Sequence, residues 1–191
     1  LLFVATCADR VRPYLKTILK SNAQAEARRP APQLKPGAPV EHSTSFGVAS
    51  WNLQFLDLPG HGPDRRVPED YAALARYVKG LDAHVIAVQE VASLEALALV
   101  FPSHEYAYHL AERGGAQRSG FVYKRRLKVV AHPDLGELAV GDLRAGADLS
   151  VFVGGREVRM LSVHLKAFCV TGALTRDDKD CRKLRAQVPV L

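Results

Sequence analysis

Several features are scarce in this sequence of 191 residues, and each scarcity excludes a class of protein. No apolar run is long enough to cross a bilayer, which argues against a membrane-spanning protein. Only three cysteines are present, and no second pair of Cys or His residues has the spacing of a zinc site. An apolar content of 48% and a mean hydropathy of -0.05 indicate one soluble globular domain with a large core.

The excess of positive charge belongs mostly to the start of the chain. Lys and Arg outnumber Asp and Glu by 7 to 3 in residues 1–45, but only by 19 to 17 in residues 46–191. A basic surface for nucleic acid on the domain therefore has to come from local clustering. The cluster of Lys124, Arg125, Arg126 and Lys128 is one candidate, although a solvated turn explains it equally well.

Residues 1–45 differ in composition from the rest, and we expect the domain to cover residues 46–191. The run Leu1–Ala8 is typical of the end of a signal peptide, which predicts export to the periplasm or the extracellular space. The start of a helix explains it equally well, so a cytoplasmic location stays open. Cys7 fits a lipid-attachment site only loosely. Residues 21–45 are rich in Ala, Pro, Arg, Gln and Ser, which predicts a flexible basic tether.

The strongest structural signal is the sequence Val-Ile-Ala-Val-Gln-Glu-Val at residues 85–91. Four small or β-branched apolar residues predict a strand that is buried on both faces and delivers Glu90 at its carboxyl end. An ionised carboxylate is costly to bury without a partner. Glu90 is therefore either a member of a structural ion pair or a metal ligand.

A strand, a helix and a second strand follow one another at the start of the domain. Residues 46–53 suit a core strand that carries Asn52 near its end, and Pro68 begins a helical pattern that continues to Gly80. A right-handed crossover would make the two strands parallel, which places Asn52 and Glu90 at the same edge of one sheet. Asn52 alone is equally explained by a hydrogen bond to loop backbone.

The later part of the domain is rich in strands. Ser93 caps a short predicted helix over residues 94–100, and Gly154-Gly155 predicts a hairpin whose second arm carries His164 near its end. A last helix, interrupted at Pro189, is predicted over residues 176–191. The strands are predicted at residues 106–110, 119–124, 127–132, 149–153 and 157–166.

Four short runs together resemble the endonuclease/exonuclease/phosphatase superfamily of metal-dependent phosphodiesterases. They are Ser-Trp-Asn-Leu-Gln at residues 50–54, Val-Gln-Glu-Val at 88–91, Arg-Ser-Gly-Phe-Val-Tyr at 118–123 and Ser-Val-His-Leu-Lys at 162–166. The resemblance implies an α/β fold of the α+β sandwich type, with two packed mixed β-sheets flanked by helices. It also implies a phosphodiester hydrolase, most similar to the nucleases, that uses Mg²⁺ or Mn²⁺.

The resemblance also assigns roles to residues. It implies that Glu90 binds the metal ion, that Asn52 orients metal and phosphate, and that His164 hydrogen-bonds the scissile phosphate. Mg²⁺ prefers oxygen ligands and keeps several waters, so one or two carboxylates are enough to hold it. A core histidine is the plain alternative for His164. Weaker candidates for phosphate contacts, which solvated strand residues explain equally well, are Arg118, Tyr123 and Lys166.

Similar bacterial proteins carry two cysteines after the His-Leu-Lys strand, which suggests a disulfide between Cys169 and Cys181 in an exported protein. In the chain-entropy model such a bond contributes roughly 3 kcal/mol to stability. In a reducing compartment the two residues would be free thiols.

The sequence departs from the superfamily in one respect. Superfamily members carry a later Gly-Asp-Phe-Asn-like segment and a final Ser-Asp-His-like segment, and residues 1–191 contain neither. We therefore expect an N-terminal part of the domain, which is inactive because it lacks the general base. Such a part would also expose an apolar sheet face, and we expect it to be aggregation-prone or loosely folded.

The expected partner is nucleic acid, and the complete protein is expected to be a monomer. Three other functions stay open at this point. They are a non-catalytic phosphate or nucleic-acid binding module, an interaction protein that docks through its basic tether, and a phosphoesterase that acts on phospholipids, phosphoinositides or small esters.

Overall fold

A computed structural model of the chain describes the backbone of residues 2–5, and residues 46–113, 115–169 and 174–191. Within these ranges the chain forms eight strands and three α-helices. The strands are β1 Leu2–Ala5, β2 Val48–Leu56, β3 Val85–Val91, β4 Tyr106–Leu110, β5 Arg118–Lys124, β6 Val129–Ala131, β7 Ala147–Val153 and β8 Arg156–Val163. The helices are α1 Pro68–Leu81, α2 Leu94–Val100 and α3 Lys179–Gln187.

The strands make two mixed four-stranded sheets. In the first sheet the order is β2-β3-β5-β4, with β2 and β3 parallel and the other neighbours antiparallel. In the second the order is β1-β8-β7-β6, with β1 and β8 parallel and the other neighbours antiparallel. The predicted α/β sandwich is confirmed, and so is the parallel pairing of the strands that carry Asn52 and Glu90.

Helices α1 and α2 cover the outer face of the first sheet. Helix α1 begins at Pro68, where the missing N–H costs nothing, and Asp70 accepts a hydrogen bond from the Val67 amide at 2.9 Å. The helix ends at Leu81, because Asp82 adopts a left-handed backbone with φ 43°. Tyr71 and Val78 are buried on its inner face.

The two sheets pack face to face around an apolar layer. It contains side chains from β3, β5, β7 and β8, among them Ala87, Phe121 and Leu149. A polar link crosses this layer near the carboxyl ends of β3 and β8. Gln89 Nε2 donates to Ser162 Oγ at 3.1 Å, and Ser162 Oγ donates to the Val88 carbonyl at 3.2 Å. The link gives the buried Gln89 carboxamide and Ser162 hydroxyl partners inside the core.

Some element boundaries differ from the predictions. Strand β8 ends at Val163, so His164 follows the strand, and the last helix is confined to Lys179–Gln187 before a 3₁₀ turn at Val188–Val190. Residues Leu2–Ala5 form a strand of the second sheet, which the predicted boundary at residue 45 leaves out. Cys7 and the predicted tether lie outside the described residues. None of the helices in the described part of the chain has the length and apolar character needed to cross a bilayer.

Gly120 gives a test of the first sheet. It pairs with Val88 on one side and Leu110 on the other, and a Cβ atom there would lie 2.5 Å from the His109 carbonyl oxygen. We expect Gly120→Ala to lower the free energy of unfolding in urea by about 1–3 kcal/mol, because backbone would have to move. Gly80→Ala is the control, since nothing lies within 4 Å of a Cβ there. We expect that variant to be more stable by about 0.5–1 kcal/mol. Equal stability of the two variants would contradict the pairing.

Candidate active site

Asn52 lies at a break in strand β2. The pairing of β2 with β3 is regular as far as Asn52 and shifts before Leu56, and Gln54 and Phe55 adopt left-handed backbones with φ of 49° and 52°. The Asn52 side chain holds this turn, because its Oδ1 accepts a hydrogen bond from the Gln54 amide at 2.8 Å. The carboxamide nitrogen is thereby directed toward strand β3.

Glu90 lies at a second break, next to the first. Its backbone is left-handed with φ 59°, and the register between β3 and β5 shifts between Val88 and Val91. The residue is only 6% exposed, and its Oε1 accepts a hydrogen bond from Asn52 Nδ2 at 3.0 Å. Within the described residues, Oε2 accepts no hydrogen bond. Glu90 is therefore a buried carboxylate with one oxygen held and the other open to a further partner.

His164 completes the group from the other sheet. It directly follows β8, is 5% exposed, and has its Nε2 3.7 Å from Glu90 Oε1. Burial and the nearby Arg144 guanidinium lower the pKa of His164 to about 3. The imidazole is therefore neutral at physiological pH, and 3.7 Å is too long for a hydrogen bond. The contact brings two polar groups together but is not an ion pair.

Arg144 is a residue that the sequence analysis missed. Its guanidinium is buried, with the residue 8% exposed, and donates to the carbonyls of His164 at 2.8 Å and Leu165 at 3.2 Å. A third bond, at 3.2 Å, reaches Gln117 Oε1. Burial lowers the pKa of Arg144, and the Glu90 carboxylate opposes that shift. Arg144 lies five residues before the predicted strand at residues 149–153 and belongs to none of the four runs that resemble the family.

The three weaker candidates fall in different places. Arg118 pairs in register with Val91, close to Glu90, and donates to the carbonyls of Ala92 and Gly115. Tyr123 pairs with Val85 at the opposite end of β3, so the structure does not bring it to the site. The Lys166 ammonium lies 3.1 Å from Asp180 Oδ1 and over the Phe168 ring, which gives it partners outside the site. Of the three, only Arg118 lies beside Glu90.

A disulfide follows the site. The sulfur atoms of Cys169 and Cys181 are bonded, with an S–S distance of 2.01 Å. The bond joins the segment after β8 to helix α3. Gln187 at the end of that helix accepts a hydrogen bond from the Lys166 amide at 2.8 Å. The chain just beyond His164 is thus attached at two points.

Comparison with known proteins identifies the family. Residues 49–180 match the model of the endonuclease/exonuclease/phosphatase family. The chain belongs to this family. Among solved structures, it is similar to TDP2 from Caenorhabditis elegans, with 22% identity, a TM-score of 0.50, and coverage of 80% of this chain and 44% of that one. No curated protein sequence matches the chain.

A second similar structure is D. rerio TDP2 complexed with a single-strand DNA product, with 15% identity, a TM-score of 0.49, and coverage of 61% of this chain and 44% of that one. The chain thus spans less than half the length of these two structures. At such identities, the likeness to C. elegans TDP2 shows the fold alone. Family membership shows that the domain has the fold of phosphodiesterases and nucleases and that its parent domain is of the hydrolase class.

Enzymes of the endonuclease/exonuclease/phosphatase family generally depend on divalent metal ions, and the residues here can be compared with that requirement. Among the described residues, no group of three or more His, Cys, Asp or Glu side chains is placed to hold a metal ion. One carboxylate oxygen of Glu90 is open, and a hard ion such as Mg²⁺ keeps several waters and needs only one or two carboxylates. Glu90 is therefore the residue that would hold such an ion, with waters as most of the other ligands. The Asn52 oxygen already accepts the Gln54 amide, so its role as a metal ligand stays a prediction.

The depressed pKa of His164 predicts a pH dependence of stability. Since its folded-state pKa of about 3 lies below the ordinary 6.5, the unfolded chain takes up the proton first as pH falls. The free energy of unfolding should therefore decrease from about pH 6.5 downward, with a slope of at most about 1.4 kcal/mol per pH unit. Urea titrations between pH 7 and 5 should show this slope, and His164→Gln should reduce it. His61→Gln, at an exposed position, is the control. An unchanged slope in His164→Gln would contradict a buried neutral imidazole.

The disulfide predicts a redox dependence of stability. Replacing both Cys169 and Cys181 with Ala should lower the free energy of unfolding by about 3 kcal/mol, since the bond restricts the unfolded chain. The same loss should follow when dithiothreitol is added to the wild type, and dithiothreitol should not affect the double variant. A wild-type unfolding curve that does not respond to dithiothreitol would show that the bond contributes nothing.

Proposed function

We propose that this domain is a divalent-metal-dependent phosphodiester hydrolase of the nuclease type. The observation that carries the proposal is the meeting of three side chains from separate segments. Asn52 Nδ2 lies 3.0 Å and His164 Nε2 lies 3.7 Å from the same carboxylate oxygen of Glu90. An open carboxylate oxygen, a neutral imidazole and a carboxamide suit a site that holds a cation against a phosphate ester.

Each side chain has a task in this proposal. Glu90 holds the ion through its open oxygen, and Asn52 keeps the carboxylate in place. When bound, the ion would polarise a phosphoryl oxygen and offset the charge that develops on it. His164 stays neutral and can donate one N–H to a phosphoryl oxygen without carrying a charge of its own. Arg144 adds positive charge behind the imidazole and fixes the backbone that carries it.

The same geometry argues that the 191-residue chain hydrolyses esters very slowly. A general base works best when its pKa lies near the working pH, and His164 with a pKa of about 3 is a poor proton acceptor there. Among the described residues, no second carboxylate joins Glu90 and His164 in a metal-binding group. We therefore propose that the described part of this chain contains a phosphate and metal site but no group that activates water.

Nucleic acid is the substrate class that we propose for the complete protein. The name of the family covers endonucleases, exonucleases and phosphatases, which act on phosphate esters. The near balance of charge in residues 46–191 gives no independent preference. Phospholipids, phosphoinositides and small phosphate esters therefore have to be compared with nucleic acid as substrates.

We also propose that the protein is exported. The support is the Cys169–Cys181 disulfide, because such bonds persist in the periplasm and outside the cell and are rare in the cytosol. Alkylation of free thiols before and after reduction, on protein taken from its native compartment, tests this. Two free thiols at residues 169 and 181 before reduction would overturn the proposal.

Metal binding and hydrolysis test the main proposal separately. We expect Mn²⁺ to bind the purified chain with a dissociation constant of about 1 mM, as suits one carboxylate and several waters. Glu90→Gln should weaken binding at least about tenfold, because it removes the charged ligand. The matched control is Glu137→Gln, which makes the same change at an exposed position. Equal Mn²⁺ affinity in the wild type and in Glu90→Gln would refute the metal site.

Hydrolysis is measured with Mg²⁺ and Mn²⁺ on single-stranded DNA, phosphoinositide vesicles and bis(4-nitrophenyl) phosphate. The chain should cleave each of them no faster than Glu90→Gln does. Cleavage that requires metal and is lost in Glu90→Gln would show that the site already contains a working base. The substrate that is cleaved would then identify the class.

A further inference from the structure

Arg66 makes three hydrogen bonds to the turn that follows Asn52. Its Nη2 donates to the carbonyl oxygens of Leu53 at 3.0 Å and Gln54 at 2.8 Å, and its Nη1 donates to that of Phe55 at 3.2 Å. The side chain is 15% exposed, and Nη2 lies 3.7 Å from Asp64 Oδ2. One guanidinium thus binds three consecutive carbonyl groups in the stretch where the register of β2 with β3 shifts.

These carbonyl groups belong to a backbone that would not form readily by itself. Gln54 and Phe55 both adopt left-handed conformations, with φ of 49° and 52°, and neither is glycine. Such conformations persist only where the surroundings hold them. On the far side of the turn, the Tyr71 hydroxyl donates to the Asp57 carbonyl at 2.6 Å. Side chains of the following loop and of helix α1 therefore determine the shape of this turn.

The turn at residues 53–55 determines the orientation of the Asn52 carboxamide. Asn52 Oδ1 accepts the Gln54 amide at 2.8 Å, and the same carboxamide donates to Glu90 Oε1 at 3.0 Å. If the Gln54 amide pointed elsewhere, the carboxamide would lose the contact that orients it. The path from Arg66 to Glu90 thus consists of three hydrogen bonds and one peptide group. The guanidinium binds the Leu53 carbonyl, the Gln54 amide of the same peptide group binds the Asn52 carboxamide, and the carboxamide binds the Glu90 carboxylate.

We propose that Arg66 is a positioning residue for the site. By binding the carbonyls of residues 53–55, it holds the left-handed turn that directs the Asn52 carboxamide at Glu90, and it thereby sets the affinity of Glu90 for a divalent cation. The second part of this statement rests on the proposed function, whereas the first part does not. Lysine cannot take this role, because a single ammonium does not present the planar fork that reaches three carbonyls at once.

The experiment compares Arg66→Lys with Arg65→Lys in the full chain. Both variants keep the charge, and Arg65 is the exposed neighbour, for which no partner is present among the described residues. The readout is the side-chain ¹H–¹⁵N signal pair of Asn52, assigned through its absence in Asn52→Asp. We expect the pair to move toward the position of a solvated asparagine in Arg66→Lys and to stay in place in Arg65→Lys. Mn²⁺ affinity should fall about tenfold in Arg66→Lys alone.

The possible results separate the two parts of the argument. An unchanged Asn52 signal in a folded Arg66→Lys protein would overturn the positioning role. A moved signal with unchanged Mn²⁺ affinity would overturn the link to cation binding. If the wild type binds no Mn²⁺, the proposed function fails, while the Asn52 signal still decides the role of Arg66.

One measurement covers the case in which Arg66→Lys does not fold. In the wild type, the guanidinium protons of Arg66 should exchange with water at least about tenfold more slowly than those of Arg65, because three carbonyl groups hold them. Equal exchange rates would overturn the proposal without any variant.

Discussion

The hydrogen bond between Asn52 Nδ2 and Glu90 Oε1 is the interaction around which this end of the molecule is arranged. It joins the carboxyl ends of two parallel strands at the points where both ladders are interrupted. A buried carboxylate is tolerated only when donors or a cation compensate its charge, and Asn52 supplies a single neutral donor. Asn52 therefore compensates only part of the charge of this carboxylate, and the Arg144 guanidinium is a positive group that interacts with it electrostatically.

The polar link between the sheets places the third member of the group. Gln89 and Ser162 connect β3 to β8 one residue before Glu90 and two residues before His164, so the ends of the two strands have to lie side by side. Arg144 then binds the carbonyls that follow β8. Neutral acceptors bind its guanidinium and the Glu90 carboxylate favours its charge, and the guanidinium in turn disfavours a second positive charge on His164. The same three buried polar residues, Gln89, Ser162 and Arg144, therefore determine both the packing of the strand ends and the charge on His164.

Much of the fold follows from the sequence, and the fine geometry of the site does not. Hydrophobic periodicity and Pro68 predict helix α1, and the crossover rule places Asn52 beside Glu90 before any coordinates are known. Tyr123 is predicted to lie near the phosphate because it belongs to the same run of residues as Arg118. In the structure, strand β5 places Arg118 beside Glu90 and Tyr123 five residues further along, at the opposite end of β3. The left-handed residues Gln54, Phe55 and Glu90 have no sequence signal, since none is glycine. Arg66 and Arg144 bind mainly backbone carbonyls, which side-chain patterns do not reveal.

The backbone of Glu90 has an evolutionary consequence. A residue with a Cβ atom in the left-handed region carries a cost on the order of 1–3 kcal/mol, which glycine or asparagine would largely relieve. Selection for heat resistance alone would therefore favour losing the carboxylate, and a thermostabilised library would be expected to drift toward small or amide residues at this position. If an acidic residue were nevertheless retained at position 90 through many generations, selection for something other than folding stability would have to maintain it.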